Sequence, residues 1–236
     1  MKSETKTARR YTLAEVVREL RAHANPANVA GMARYGINVT TVNAFGVSAP
    51  VLQKLARRIG RHHELAAELW NSGLHEARLL AGLVDDPLLV TNRQMEQWVA
   101  AFDSWDVCDG ICSKLFDKTP LAWAKAVAWS RRKEEFVKRA GFVLMAALAV
   151  HDKRAPDSRF LRFLPLIERQ ATDERNFVRK AVNWALRQIG KRNARLNRAA
   201  VAAARRIRKI DSKAARWIAA DALRELTSPQ TLGRIK

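Results

Sequence analysis

Cysteine is nearly absent: among 236 residues only Cys108 and Cys112 carry thiols. Their i, i+4 spacing is helical, offers no disulfide framework and lacks the further partners a zinc site requires. Both are read as reduced, small packing residues of a cytoplasmic protein. The chain has no run of about 18 apolar residues, no signal-peptide pattern and no lipidation motif, so a membrane is not an expected partner. A Gly-rich phosphate loop is missing, which argues against phosphoryl transfer. Period-2 alternation and hairpin dipeptides are missing too, so strand content should be near zero. No RNA-recognition, helix-turn-helix or zinc-finger signature occurs, so nucleic acid would be met through backbone and shape rather than base edges. The adjacent His62 and His63 point apart on a helix and read as solvated side chains, not metal ligands. Neither metal nor cofactor is expected.

Acidic residues are also scarce, 23 against 43 Lys and Arg, which leaves a net charge of +20. A polyanion is the first expectation for a partner. The charge is not evenly spread. Between Arg175 and Arg216 stand fourteen Lys and Arg and one acid, Asp211, so this stretch carries thirteen of the twenty net charges. So one-sided a cluster points to a phosphate backbone rather than to a merely solvated face.

What the chain does contain is helix. Thr12 with Glu15 three residues on forms a capping box ahead of Leu13, Val16, Val17 and Leu20. Asn25-Pro26 opens a second helix through Met32 and Tyr35. A turn-like segment with Phe45-Gly46-Val47 follows, long enough for a binding role, and Ser48 then caps a helix with Pro50 in its first turn. Further amphipathic stretches follow, among them 134–150, 156–167, 173–191 with Asp173 as cap, 193–210, and 211–226 opened by Asp211. About a dozen short helices with one apolar face each cannot make one up-down bundle, but stacked pairs bury them layer by layer. The expected fold is all-α: an α-solenoid of about six antiparallel helix pairs of the irregular HEAT type, with a concave basic face. Residues 1–236 are read as one such domain, with 1–10 a frayed end and 228–236 a tail.

Residues 103–117 stand apart. Here an aromatic, several carboxylates and small residues meet in an otherwise basic chain. On a helix Trp105 and Asp109 share a face while Asp106 points elsewhere, and is expected to cap or brace the helix. By spacing alone this is either a helix start with a half-buried Trp or an indole and carboxylate set to stabilise a cation. In the second half, Arg139 interrupts the apolar run from Phe136 and is placed to meet a phosphate. Trp184 follows a basic turn in the helix from Phe177.

Together these segments resemble the AlkD-like DNA alkylation repair family, alkylpurine DNA glycosylases built of HEAT-like repeats. The resemblance rests on Met32-Ala-Arg-Tyr35 with the Phe45-Gly-Val loop, Ser104-Trp-Asp-Val-Cys-Asp109, Lys138-Arg-Ala140, and Phe177 through Lys191, in the family's order along the chain. It implies that Asp109 is the catalytic carboxylate, that Trp105 and Trp184 pack against the damaged nucleotide, and that Arg139 contacts the adjacent phosphate. Tyr35, Lys138, Arg179, Lys180, Arg187 and Lys191 would join the DNA interface. Ser104 stands where some members have a second aromatic, which touches lesion range. The implied activity is excision of cationic N3- or N7-alkylated purines from double-stranded DNA, without flipping the base, by a monomer in the cytoplasm that associates with the nucleoid on DNA. The alternative is a non-catalytic HEAT-repeat protein that binds damaged or distorted DNA. A helix-hairpin-helix glycosylase would need a Gly-rich hairpin before its acid, and none is present.

Overall fold

A computed structural model describes residues 11–37, 39–40 and 42–235. All regular structure among them is helical, and no helix is long and apolar enough to cross a membrane. The chain divides into two compact units, Met1–Val90 and Thr91–Lys236. The 1–10 segment lies outside the described residues.

The first unit holds α1 (Leu13–Ala22), α2 (Pro26–Met32), α3 (Ala49–Ile59), α4 (His63–Asn71) and α5 (His75–Val84). Local chemistry sets the helix starts. Thr12 and Glu15 exchange side-chain and backbone hydrogen bonds as a capping box. Asn25 caps α2, with Pro26 in its first turn. Val16, Leu20, Leu52, Leu55, Leu65 and Leu69 form the core. The Phe45-Gly46-Val47 loop is tied down. The buried Glu76 carboxylate accepts the backbone N–H groups of Phe45, Gly46 and Val47 at 2.9, 2.6 and 3.2 Å. Gly46 sits at φ +73°, and a Cβ there would lie 2.2 Å from the Asn25 carbonyl oxygen, so only glycine fits. These backbone donors are therefore spent inside the unit, not offered to a ligand. The two histidines are also engaged: His62 caps α4 through Nδ1, and His63 Nδ1 lies 2.6 Å from Asp85.

The second unit holds α6 (Asn92–Ala100), α7 (Trp105–Lys114), α8 (Ala122–Trp129), α9 (Glu135–His151), α10 (Asp157–Leu161), α11 (Leu164–Gln170), α12 (Asn176–Gly190), α13 (Ala194–Arg208), α14 (Lys213–Leu226) and α15 (Pro229–Leu232). Its centre is α9, buried on almost every side and packed by α7, α8 and α12. Each fully buried large side chain, such as Phe142 or Leu144, contributes about 1.5–3 kcal/mol. Gly141 lets α8 end against α9: a Cβ there would lie 2.3 Å from the Ser130 nitrogen. The two cysteines join α7 to α9, with Cys108 Sγ donating to the Phe136 carbonyl at 3.7 Å and Cys112 Sγ to the Ala140 carbonyl at 3.9 Å. Burial pushes the Cys112 thiol well above its ordinary pKa, so it stays protonated.

A regular offset governs the packing. Asn183 bonds Asp221, Arg187 bonds Glu225, Arg206 bonds Glu168 and Ser212 bonds Glu174, each pair 38 residues apart. Partners on α12 and α14 rise together, so these helices run in the same direction, while successive helices joined by short loops fold back on each other. The α11–α12 pair is thus repeated by α13–α14, close to the expected period of about 40 residues.

Several boundaries differ from expectation. The 156–167 helix is two, α10 and α11, because Pro165 has no N–H to continue the ladder. Asp173 does not cap α12; its carboxylate takes the Arg175 and Lys138 side chains instead. Ser212, not Asp211, caps α14. The 228–236 tail contains α15, capped by Ser228.

Candidate functional site

Helix α7 begins at Trp105, with Ser104 as an extended, buried N-cap residue whose hydroxyl makes no capping bond. Asp109 follows one turn later on the same face, and both side chains are half-buried. Asp106, in the first turn, carries negative charge where the helix N-terminus favours it. From α9, Arg139 reaches Asp109 as a two-pronged fork: Nε donates to Oδ1 at 2.8 Å and Nη2 to Oδ2 at 2.7 Å. Its remaining arm, Nη1, donates to the Phe177 carbonyl at the start of α12, at 2.5 Å. One guanidinium thus fastens three helices. Phe136 and Phe177 add a ring contact between α9 and α12, with centroids 5.5 Å apart.

Burial pushes the Asp109 carboxyl above the ordinary carboxylate range, with Arg139 pulling it back and Asp106 adding to the rise. The Asp109 side chain remains 20% exposed while that of Arg139 is 7% exposed. The carboxylate keeps more access to solvent than the arginine. Arg139, expected at a phosphate, is here enclosed with three bonds inside the protein, two of which fix the orientation of Asp109. Lys138 is similarly committed. It joins α9 to the end of α11 through Gln170 at 2.8 Å and to the loop before α12 through Asp173 at 3.1 Å.

On α12, Trp184 is half-buried and lies about 10 Å along the axis from Phe177, the anchor of Arg139. Lys180 is exposed one turn before it. Arg187 and Lys191 follow, but both meet carboxylates of α14: Arg187 bonds Glu225 and lies 3.5 Å from Asp221, and Lys191 lies 2.6 Å from Glu225. Arg179 packs 5.2 Å over the ring of Trp217 and donates to Asn176. Of the α12 residues assigned to DNA, only Lys180 is fully open; the others share their charge with neighbours. Acids just beyond Arg216 do this, which a count ending there misses. Open cations remain on α13, where Arg198, Arg205 and Arg208 are exposed. Tyr35 belongs to the first unit, in a 3-10 turn, and is 72% exposed.

The sequence reading missed the Phe177 carbonyl, Glu225 and Trp217. Only the recurring 38-residue spacing of opposite partners could have signalled the α12–α14 contacts.

Helical pairs in a fixed register are the mark of HEAT-like repeats. A solved structure described as "a new family of proteins related to the HEAT-like repeat DNA glycosylases with affinity for branched DNA structures" matches with a TM-score of 0.76, covering 92% of this chain and 96% of that one at 19% identity. The family model described as "DNA alkylation repair enzyme" matches residues 16–226, and the chain belongs to that family. It is also 25% identical over 195 residues to the "Uncharacterized protein Lin0241" of Listeria innocua serovar 6a, covering 81% of this chain and 84% of that protein.

Proposed function

We propose that this protein binds double-stranded DNA and releases cationic N3- or N7-alkylated purines by hydrolysing the N-glycosidic bond, as a cytoplasmic monomer acting on nucleoid DNA. The observation that carries this reading is Asp109, a largely buried carboxylate, 20% exposed, locked in orientation by the Arg139 fork and set one turn from Trp105. Alkylation leaves a formal positive charge on the base. When the C1′–N bond breaks, its electron pair neutralises that charge, so the leaving group needs no general acid. The deoxyribose is left as an oxocarbenium-like cation. Asp109 stabilises this developing charge from a fixed position, and the indole faces of Trp105 and Trp184 favour it further. Water then adds at C1′, and its proton passes to Asp109 or to solvent. A carboxyl pushed upward by burial is a better proton acceptor than an ordinary one.

Asp109→Asn keeps the shape and removes the charge. On duplex containing 7-methylguanine, base release should fall at least about 100-fold, with duplex affinity within about two-fold. Equal release by both proteins would remove Asp109 from the chemistry. A second reading is binding without excision. It is favoured by Arg139 engaging both Asp109 oxygens and by the structural relative described as having affinity for branched DNA. Absence of free base from the unsubstituted protein at low salt would select it.

A further inference from the structure

Helix α14 presents its core face through Ala214, Ala215, Ile218, Ala219, Ala222 and Leu226, all fully buried. Trp217 does not belong to that face. It sits with Lys213 at i−4 on the solvent stripe and is 39% exposed, among the few large hydrophobic side chains so open. Core packing therefore does not account for an indole at this position. The ring contact it makes is with Arg179 of α12, whose guanidinium lies 5.2 Å from the ring centroid. Exposed cations lie on both helices, Lys180 on α12 and Lys213 and Arg216 on α14, with Arg216 paired to Asp211 and the exposed Glu174 beside the start of α14.

We propose that Trp217, backed by Arg179, is a stacking platform for an unpaired nucleobase. Three observations choose this ligand. The ring is flat and open, which suits the face of a base. Arg179 beside it strengthens stacking through its charge. Lys180 and Lys213 are exposed cations on the same two helices, the pairing of aromatic and cation that single-strand surfaces use. Bases inside an intact duplex hide their faces, so the platform takes strands at a fork, gap or branch. This rests on the DNA-binding reading above but not on excision.

The experiment uses the full chain as Trp217→Ala and Trp217→Phe, with a forked DNA bearing unpaired arms and a fully paired duplex of equal length, titrated from about 50 to 200 mM salt. Trp217→Ala should weaken fork binding by roughly 5- to 150-fold, the range one stacked base contributes. The slope of log affinity against log salt should not change, because no phosphate contact is lost. Phe should restore most of the loss, and duplex affinity should move less than about two-fold. Equal weakening on fork and duplex, or no weakening on the fork, overturns the platform. If the unsubstituted protein binds neither DNA, the DNA-binding reading falls, and the platform with it.

Discussion

Replacing Arg139 by Met tests the junction on which the Asp109 site depends. The substitution keeps an unbranched apolar stem and removes two charge-assisted bonds to Asp109 and one bond to the Phe177 carbonyl. Breaking one partner of a buried ion pair costs about 3–5 kcal/mol, because the surviving charge is left without compensation. Asp109 is 20% exposed, so water relieves part of this, and we expect about 3 kcal/mol. For a chain of this length that lowers Tm by about 6–12 °C. Thermal unfolding by circular dichroism measures the shift, and hydrogen exchange over residues 135–151 locates it to α9. The companion is Asp109→Leu combined with Arg139→Met. Removing both charges together should recover much of the loss, since an apolar pair of similar volume is often no less stable than a buried ion pair. A Tm drop under about 3 °C for Arg139→Met, or a double variant as unstable as the two singles summed, would refute the view of Arg139 as the clamp of this site.

Two further outcomes follow from the packing. Burial tends to raise the Asp173 carboxyl, but bonds from Arg175 and Lys138 hold it at about 2, below the ordinary 3.8; its stabilising effect is present above the ordinary value and is lost as pH falls toward about 2. Asp173→Asn should therefore cost about 1–2 kcal/mol at neutral pH, after allowance for solvent screening, and little near the acid limit, as read from urea midpoints. Glu76→Ala leaves three backbone N–H groups without their acceptor and should destabilise the first unit by about 3–5 kcal/mol, with amide exchange at residues 45–47 rising first.

Much of the helical fold was legible because helix starts are local. Thr12, Asn25 and Asn193 announce themselves by side-chain chemistry that needs no distant partner. Asp109 and Trp105 were legible for the same reason, lying one turn apart on one helix. Arg139 was not. Beside Lys138 it reads as a surface cation, and only a carboxylate 30 residues earlier and a carbonyl 38 residues later enclose it. The basic run was over-read in the same way, since Asp221 and Glu225 temper it from a neighbouring helix. The repeat itself was hard to see because register is held by different pairs at equivalent places: amide with carboxylate at Asn183–Asp221, guanidinium with carboxylate at Arg187–Glu225. A spacing recurs where no motif does.

That 38-residue spacing has a kinetic consequence. Within the second unit a layer finds its partners about one repeat away, so no layer must wait for a distant end of the chain before it can form. Chains whose contacts stay this close fold quickly, and a repeat array can start at any sufficiently apolar layer and grow outward. If growth starts at α9, which is buried on almost every side, it reaches α12 and then α14, and the helix carrying Trp217 is then the last of this series to lock.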